Sequence, residues 1–383
     1  MIDVRADFAP QPLPNWKRAV LKVGSSLLAG SGELDPVHAQ GLASFITSAR
    51  AQGREVVLVS SGAVAAGRGR IGAAGNGIVQ RQALAALGQA SLMGFWQAFF
   101  DMPVAQVLLT HDDLRNRRRY LNARTALKEL LRLGALPIVN ENDTVAVDEL
   151  KLGDNDNLAA AVASLIEADL LLIATDIGGL YSGHPQHDPD ARPIERVDTV
   201  TPALLAIAGI AGGLGTGGMR TKLEAASKAA TAGIATALFC GRDAAVVMAL
   251  GEGVLHGTLV AAHGNRISAR KQWLRHAPAS GVLQVDAGAR TALLRGASLL
   301  PGGVHAVTGD FRRGDVVDVH SFDGELLARG QAQYNASESL RIAGRHSRDI
   351  ETVLGFRYDE AMIHRDDLVL LNSAEQLSSE KTA

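Results

Sequence analysis

The sequence predicts an α/β protein: an open, mainly parallel sheet with helices on both faces, followed by a small β-barrel-like domain. Three observations carry that prediction. Short β-rich runs alternate with Ala/Leu-rich helical stretches through the first two thirds of the 383 residues, and such repetition yields parallel strands joined by right-handed crossovers. Forty-one glycines beside only 4% aromatic residues suit the tight turns of an α/β enzyme better than the filled core of a β-sandwich. After His263 the composition changes. Arg266, Arg270, Lys271 and Arg275 lead into His276-Ala277-Pro278-Ala279-Ser280-Gly281, a Pro/Ser/Gly stretch beyond which the expected strands are short and closely spaced.

In chain order, residues 1–17 carry Asp3, Asp7 and prolines at 10, 12 and 14 and are expected to form a loose N-terminal arm, neither a signal peptide nor an Arg-rich transit sequence. Residues 18–263 make the large domain. Its expected strands run from Ala19 to Val23, Glu55 to Ser60, Val104 to Thr110, Leu136 to Asn140, Leu170 to Thr175 and Ala235 to Cys240. Helical periodicity fills the intervals: Val37 to Gln52, Gln80 to Phe100, Tyr120 to Leu133, Asn157 to Ala168 and Thr221 to Ala232. The basic run Arg115, Arg117, Arg118 and Arg119 is expected to be a solvated loop, with a subunit contact or regulatory surface as the alternative. Residues 264–280 form the linker, 281–357 the barrel-like domain and 358–383 a C-terminal tail, polar and frayed beyond Leu371.

Composition excludes several classes of function. With 47% hydrophobic and 20% charged residues the chain is not intrinsically disordered. A net charge of −2, from 38 Lys+Arg against 40 Asp+Glu, supplies no global field for nucleic acid. The single cysteine, Cys240, can form neither an internal disulfide nor a Cys-based zinc site, and suits a core position in a reducing cytoplasm. The best apolar stretch, Leu158 to Thr175, is broken by Glu167 and Asp169, so no membrane span is expected. The eleven histidines show no metal-ligand spacing, and no protein-held metal is expected.

In an open parallel sheet, ligands bind beyond the carboxyl ends of the strands. The first strand ends Lys22-Val23-Gly24-Ser25-Ser26 and the second Ser60-Ser61-Gly62-Ala63; both could offer backbone N–H groups to an anion, and Lys22 adds a positive charge. Ordinary turns and a lysine at a sheet edge are the structural alternative. The fourth strand ends Asn140-Glu141-Asn142-Asp143, and Gly153-Asp154-Asn155-Asp156-Asn157 precedes a helix. Amides donate to carboxylates and carboxylates accept from ammonium groups, so the two clusters could hold a zwitterionic amino acid; helix capping and turn chemistry are the competing explanation. The fifth strand ends at Thr175-Asp176, a plausible nucleotide edge. Gly213-Leu214-Gly215-Thr216-Gly217-Gly218-Met219-Arg220-Thr221-Lys222 contains G-x-G-x-x-G without a preceding strand and lacks the Walker A order. A lysine in the first turn of a helix opposes the helix dipole, which suggests a phosphate between the N–H groups and Lys222.

Taken together, Gly215 to Lys222, Val139 to Asp143 and Gly153 to Asn157 closely resemble the glutamate 5-kinase family of the amino-acid-kinase fold, in its bacterial form with a C-terminal PUA-type domain. Leu21 to Ser26, Val59 to Ala63 and Thr175-Asp176 to Gly179-Leu180-Tyr181 match as well, and the resemblance runs from about Arg18 to Asp366. It implies ATP-dependent phosphorylation of the glutamate side-chain carboxylate, the first step from glutamate toward proline, with ATP and Mg²⁺ as cofactors. By the same resemblance Ser61, Asp143 and Asn155 contact glutamate; Lys22 lies near the transferred phosphate; Asp156 orients Lys22 and Lys222; and Lys22, Thr175, Asp176, Thr216, Gly217, Gly218, Met219, Arg220, Thr221 and Lys222 line the ATP site. Proline as feedback inhibitor and a homo-oligomer are implied too. The Pro-rich arm departs from the family pattern, as does Arg220, where a small Ser is more familiar. Two alternatives stand beside this: a kinase of another carboxylate or carbamate in the same fold, and an RNA-binding protein acting through the PUA-type domain. Residues 281–357 hold nine arginines, nine acids and no lysine, a neutral balance that lacks the footprint of an RNA binder.

Overall fold

The computed structural model describes residues 8–30, 34–71, 77–146, 155–183, 185, 188, 190–210, 218–263, 274–275 and 277–371. The chain divides into two compact units, Met1–Asn265 and Arg266–Ala383. The first unit is built on β1 (Gln11–Pro12), β2 (Arg18–Val23), α1 (Pro36–Ala51), β3 (Glu55–Ser60), α2 (Ala63–Ile71), α3 (Ile78–Gln97), β4 (Val104–Leu109), α4 (Arg117–Arg132), β5 (Leu136–Glu141), α5 (Asn155–Leu165) and β6 (Leu170–Thr175). It continues through β7 (Leu180–Tyr181), β8 (Pro193–Ile194), β9 (Arg196–Val197), α6 (Met219–Thr231), β10 (Ala235–Cys240), β11 (Val254–Leu255) and β12 (Gly257–Val260).

Among the described residues eight strands form one sheet in the order β4-β5-β3-β2-β6-β10-β12-β9. All neighbours are parallel except β10 and β12. β6 is buried at every position, as a parallel strand covered on both faces must be, and its sequence Leu-Leu-Leu-Ile-Ala-Thr is correspondingly apolar. Successive residues of β2 serve opposite cores: Ala19, Leu21 and Val23 pack with Leu42, Ile46 and Trp96 of α1 and α3, while Val20 packs with Leu158, Val162, Leu223 and Ala226 of α5 and α6. Lys22 shares the second face with Val20, and its burial there is the first sign of a site.

The N-terminal segment is not a loose arm from Phe8 onward. Phe8 is fully buried and meets the ring of Tyr181 edge-on at 5.2 Å; Leu13 and Trp16 are buried in the same core, and β1 pairs antiparallel with β11. Three well-spaced apolar side chains outweigh the prolines, which an edge strand tolerates. Nor is the basic run a loop: Arg117 to Arg119 open α4, capped by the Asn116 side chain, and Arg119 pairs with Asp113 at 3.0 Å.

The second unit carries a five-stranded sheet in the order β14-β13-β15-β16-β17, formed by β13 (Gly281–Val285), β14 (Val304–Gly309), β15 (Val316–Ser321), β16 (Leu326–Gln331) and β17 (Leu368–Leu370). Leu283, Val285, Phe311, Val317, Val319, Leu327, Tyr334 and Ile363 form its core. The buried Tyr334 hydroxyl accepts from the backbone N–H groups of Tyr358 and Asp359 and donates to the Asp359 carbonyl. Two boundaries differ from the sequence expectation. Leu274 and Ala277 pack against Val316 and Val369, so the end of the expected linker belongs to this unit. Residues 358–370 supply buried Met362 and Ile363 and the edge strand β17, rather than a tail. The frayed stretch expected beyond Leu371 lies outside the described residues.

Candidate active site

The parallel register aligns the carboxyl ends of the central strands. Val23 is level with Ser60 on one side and Ala174 on the other, and Ser61 N–H bonds to the Val23 carbonyl at 3.0 Å. Helices α5 and α6 begin over this edge, and each contributes a charged side chain from its first turn: Asp156 and Lys222. Lys22 Nζ lies 2.6 Å from Asp156 Oδ1, and Lys222 Nζ lies 3.2 Å from Asp156 Oδ2. Thr221 Oγ1 donates to Asp156 Oδ2 at 2.8 Å. Asp156 is 1% exposed, Lys22 5% and Lys222 7%. One carboxylate thus spaces two buried ammonium groups at the sheet edge.

Burial alone would push the Asp156 carboxyl upward, but Lys22, Lys222 and the Thr221 hydroxyl together hold it below the usual carboxylate range. The ionised form also suits the first turn of α5, where the helix dipole favours negative charge. α6 carries the opposite combination, with Lys222 in its first turn and no side-chain cap on Gly218.

Beside this charged cluster lies a neutral one. Asn155 Nδ2 donates to Ser61 Oγ at 2.7 Å and to Asn140 Oδ1 at 3.0 Å, and Asn140 Nδ2 donates to Gln89 Oε1 at 3.0 Å. Asn155 Oδ1 and Gln89 Nε2 are buried with no hydrogen-bond partner. Asp143, in the turn after β5, is half-buried; this burial raises its carboxyl, and Arg81 offsets the rise only in part. Asn157 serves the scaffold instead, accepting from Lys228 Nζ at 2.6 Å and so tying α5 to α6.

The structure therefore brings together Lys22, Asp156, Thr221 and Lys222, and separately Ser61 and Asn155. Thr175 is buried at the end of β6, 3.2 Å from the exposed Asp176. Arg220 is exposed and bonded to Glu224 one turn along α6, at 2.9 Å, and Met219 packs against the apolar core under that helix. Gly218 is the N-cap of α6; Thr216 and Gly217 lie outside the described residues. Sequence reasoning missed Gln89. It stands in the middle of an apolar helical stretch, and only a count of polar residues on the buried face of α3 would have drawn attention to it.

Residues 17–240 match the amino acid kinase family and residues 281–354 the PUA domain. The glutamate 5-kinase of Xanthomonas axonopodis pv. citri (strain 306) is 62% identical over 363 residues, covering 92% of this chain and all of the relative. The chain belongs to the amino acid kinase family, among its glutamate 5-kinases. The glutamate 5-kinase of Xylella fastidiosa (strain M12) is 60% identical over 375 residues, covering 95% of this chain and 98% of its own. These kinase relatives imply ATP as phosphoryl donor. Among the described residues no helix is long and apolar enough to cross a membrane.

Proposed function

We propose that the chain transfers the terminal phosphoryl group of ATP to the side-chain carboxylate of L-glutamate, giving L-glutamyl 5-phosphate for proline synthesis. The observation that carries this is the Lys22–Asp156–Lys222 bridge beside Asn155 and Ser61. A side-chain carboxylate with an ordinary pKa of about 4.3 is already an anion at neutral pH and needs no general base to attack phosphorus. What the reaction needs is positive charge, because carboxylate and triphosphate repel and the loose transition state spreads charge over the phosphoryl oxygens. Lys22, from the sheet, and Lys222, from the helix, supply it from two directions, and Asp156 holds them apart for the entering and leaving oxygens. Asn155, Ser61 and Asp143 hold the amino-acid head group; Thr175, Asp176 and the start of α6 border the nucleotide.

Among the described residues no group of three or more His, Cys, Asp or Glu could cage a metal. Mg²⁺ is assigned to the nucleotide phosphates, where it would neutralise charge. Proline inhibition by overlap with the glutamate site, a homo-oligomer and a cytoplasmic location belong to the same proposal. Hydroxamate formation with glutamate, aspartate and N-acetylglutamate as competing substrates tests it: glutamate should lead by at least an order of magnitude in kcat/KM, and equal or greater turnover of another acid would replace it.

A further inference from the structure

The row of amides Gln89, Asn140 and Asn155 ends at both sides in an unmatched polar atom. Gln89 follows Gly88 on α3, and Gly88 is what lets α3 lie against α2: a Cβ there would stand 1.9 Å from the Ala63 carbonyl oxygen and 2.4 Å from the Gly67 nitrogen. This close crossing seats Gln89, 8% exposed, within bonding distance of the end of β5. Both hydrogens of Asn155 Nδ2 are used, one on Asn140 and one on Ser61. Its Oδ1 is buried and lacks a donor, a deficit that a substrate ammonium group would remove.

A row of amides can run in either of two directions. As found, Asn155 offers an acceptor, and Ser61, already accepting from Asn155, has its own hydroxyl hydrogen to give to a carboxylate. With all three amides turned over, Gln89 would donate to Asn140, Asn140 to Asn155, and the unmatched atom of Asn155 would become an N–H donor. The first direction suits an ammonium group and the second an anion. A side chain at position 89 that can only accept permits the first alone.

We propose that Gln89 is a positioning residue for the amino-acid pocket: its Oε1, accepting from Asn140 Nδ2, supports the amide row in the direction found, in which Asn155 Oδ1 is left for the substrate's ammonium group. The inference rests on the glutamate reading above. Gln89 touches neither reacting atom, so its removal should be felt in recognition of the amino group and not in phosphoryl transfer.

The test uses the full chain with Gln89→Met, close in volume but without an acceptor, and Gln89→Glu, which retains one; thermal unfolding of each confirms that it is folded. Wild type should bind glutamate more tightly than glutarate, which lacks the ammonium group. In Gln89→Met the KM for glutamate should rise about tenfold, while the inhibition constant of glutarate, the KM for ATP and kcat stay within about twofold. Gln89→Glu, measured at pH 8 to 9 to favour its ionised form, should restore the wild-type preference. Equal losses for glutamate and glutarate in Gln89→Met would make Gln89 merely structural and overturn the proposal, as would Gln89→Glu behaving like Gln89→Met. Should the wild type itself fail to turn over glutamate, the fault lies in the proposed reaction; a wild type that phosphorylates glutamate but shows no preference over glutarate overturns the role of Gln89 alone.

Discussion

Asp156, fully buried, and Asp143, half-buried, stand at the same edge of one sheet, yet their carboxyl groups are driven in opposite directions. Two lysines and a hydroxyl hold Asp156 below the usual range against the penalty of burial. At Asp143 burial prevails and the carboxyl is raised, with Arg81 as the partial offset. The difference separates the two halves of the site. On the proposed reading the Asp156 side, with its cations in place, receives negative charge, while Asp143 and Asn155 Oδ1, a buried acceptor without a donor, gain from an incoming cation.

The sharpest way to break this comparison is to delete Asp156. Asp156→Ala would leave two buried ammonium groups without the carboxylate between them, and breaking a buried ion pair in this way costs about 3–5 kcal/mol. Chemical denaturation should therefore show a large fall in stability together with a loss of turnover. A variant with wild-type stability would show that Lys22 and Lys222 do not depend on Asp156. Next in size are the lysines themselves. If each acts on charge that develops during transfer, Lys22→Ala and Lys222→Ala should lower kcat by roughly 10²-fold or more with smaller changes in KM. Near-normal turnover in either variant removes that lysine from the mechanism.

The opposite half should respond in KM. Asp143→Asn and Asn155→Ala are expected to raise the KM for glutamate about tenfold or more while the KM for ATP moves little. A larger effect on ATP would exchange the two subsites. The two carboxyls also predict different pH behaviour. Asp156, depressed in the folded state, contributes stability that is present above its unfolded value of about 3.9 and is lost as pH falls through its lower folded value. Asp143, raised, works in the other sense: its ionisation in the folded protein is delayed, so the KM for glutamate should fall as pH rises through a value above the ordinary Asp range. Asp143→Asn should flatten that slope. An unchanged slope in the variant would assign the pH dependence to another group.

How much of this was legible in the sequence follows from what each feature depends on. Glu55–Ser60, Leu170–Thr175 and Ala235–Cys240 occur where their apolar runs place them, because a strand buried on both faces carries its signal in consecutive residues. β2, β4 and β5 were legible to within a residue for the same reason, whereas β9 and β12, at two and four residues, are too short to carry such a signal and were not read. Phe8, Leu13 and Trp16 were overlooked because prolines mask their spacing, and β17 because three residues after a long irregular stretch carry no periodicity. In the site, Lys22 stands out as a charge in an apolar strand, Asp156 as part of an Asn/Asp run at a helix start and Lys222 as a cation in a helix's first turn, and the family motifs draw attention to the same positions. Gln89 does not stand out, since its meaning comes from the crossing of α2 and α3 at Gly67 and Gly88, a contact between residues far apart in the pattern.

The smallest effect on catalysis is expected from removing the whole second unit. Every residue assigned here to catalysis or binding lies at or before Lys222, and the sheet that positions them closes with β12 at Val260. The natural cut is not at Ser280, as the Pro/Ser/Gly composition suggests, because Leu274 and Ala277 pack on the second unit's own core and Ser280 N–H bonds to the Val316 carbonyl. It is after Asn265, where the two compact units divide. A fragment of residues 1–265 retains both cores of the large sheet, and it should be soluble and release ADP in the presence of glutamate and Mg²⁺ at a rate within about tenfold of the full chain, since few contacts cross a domain boundary. The second unit would then act on something other than the chemical step, such as assembly or the response to proline. A fragment that is folded and monodisperse but inactive would show that the PUA domain completes the active assembly, and the contrast between Asp156 and Asp143 would have to be explained with that domain included.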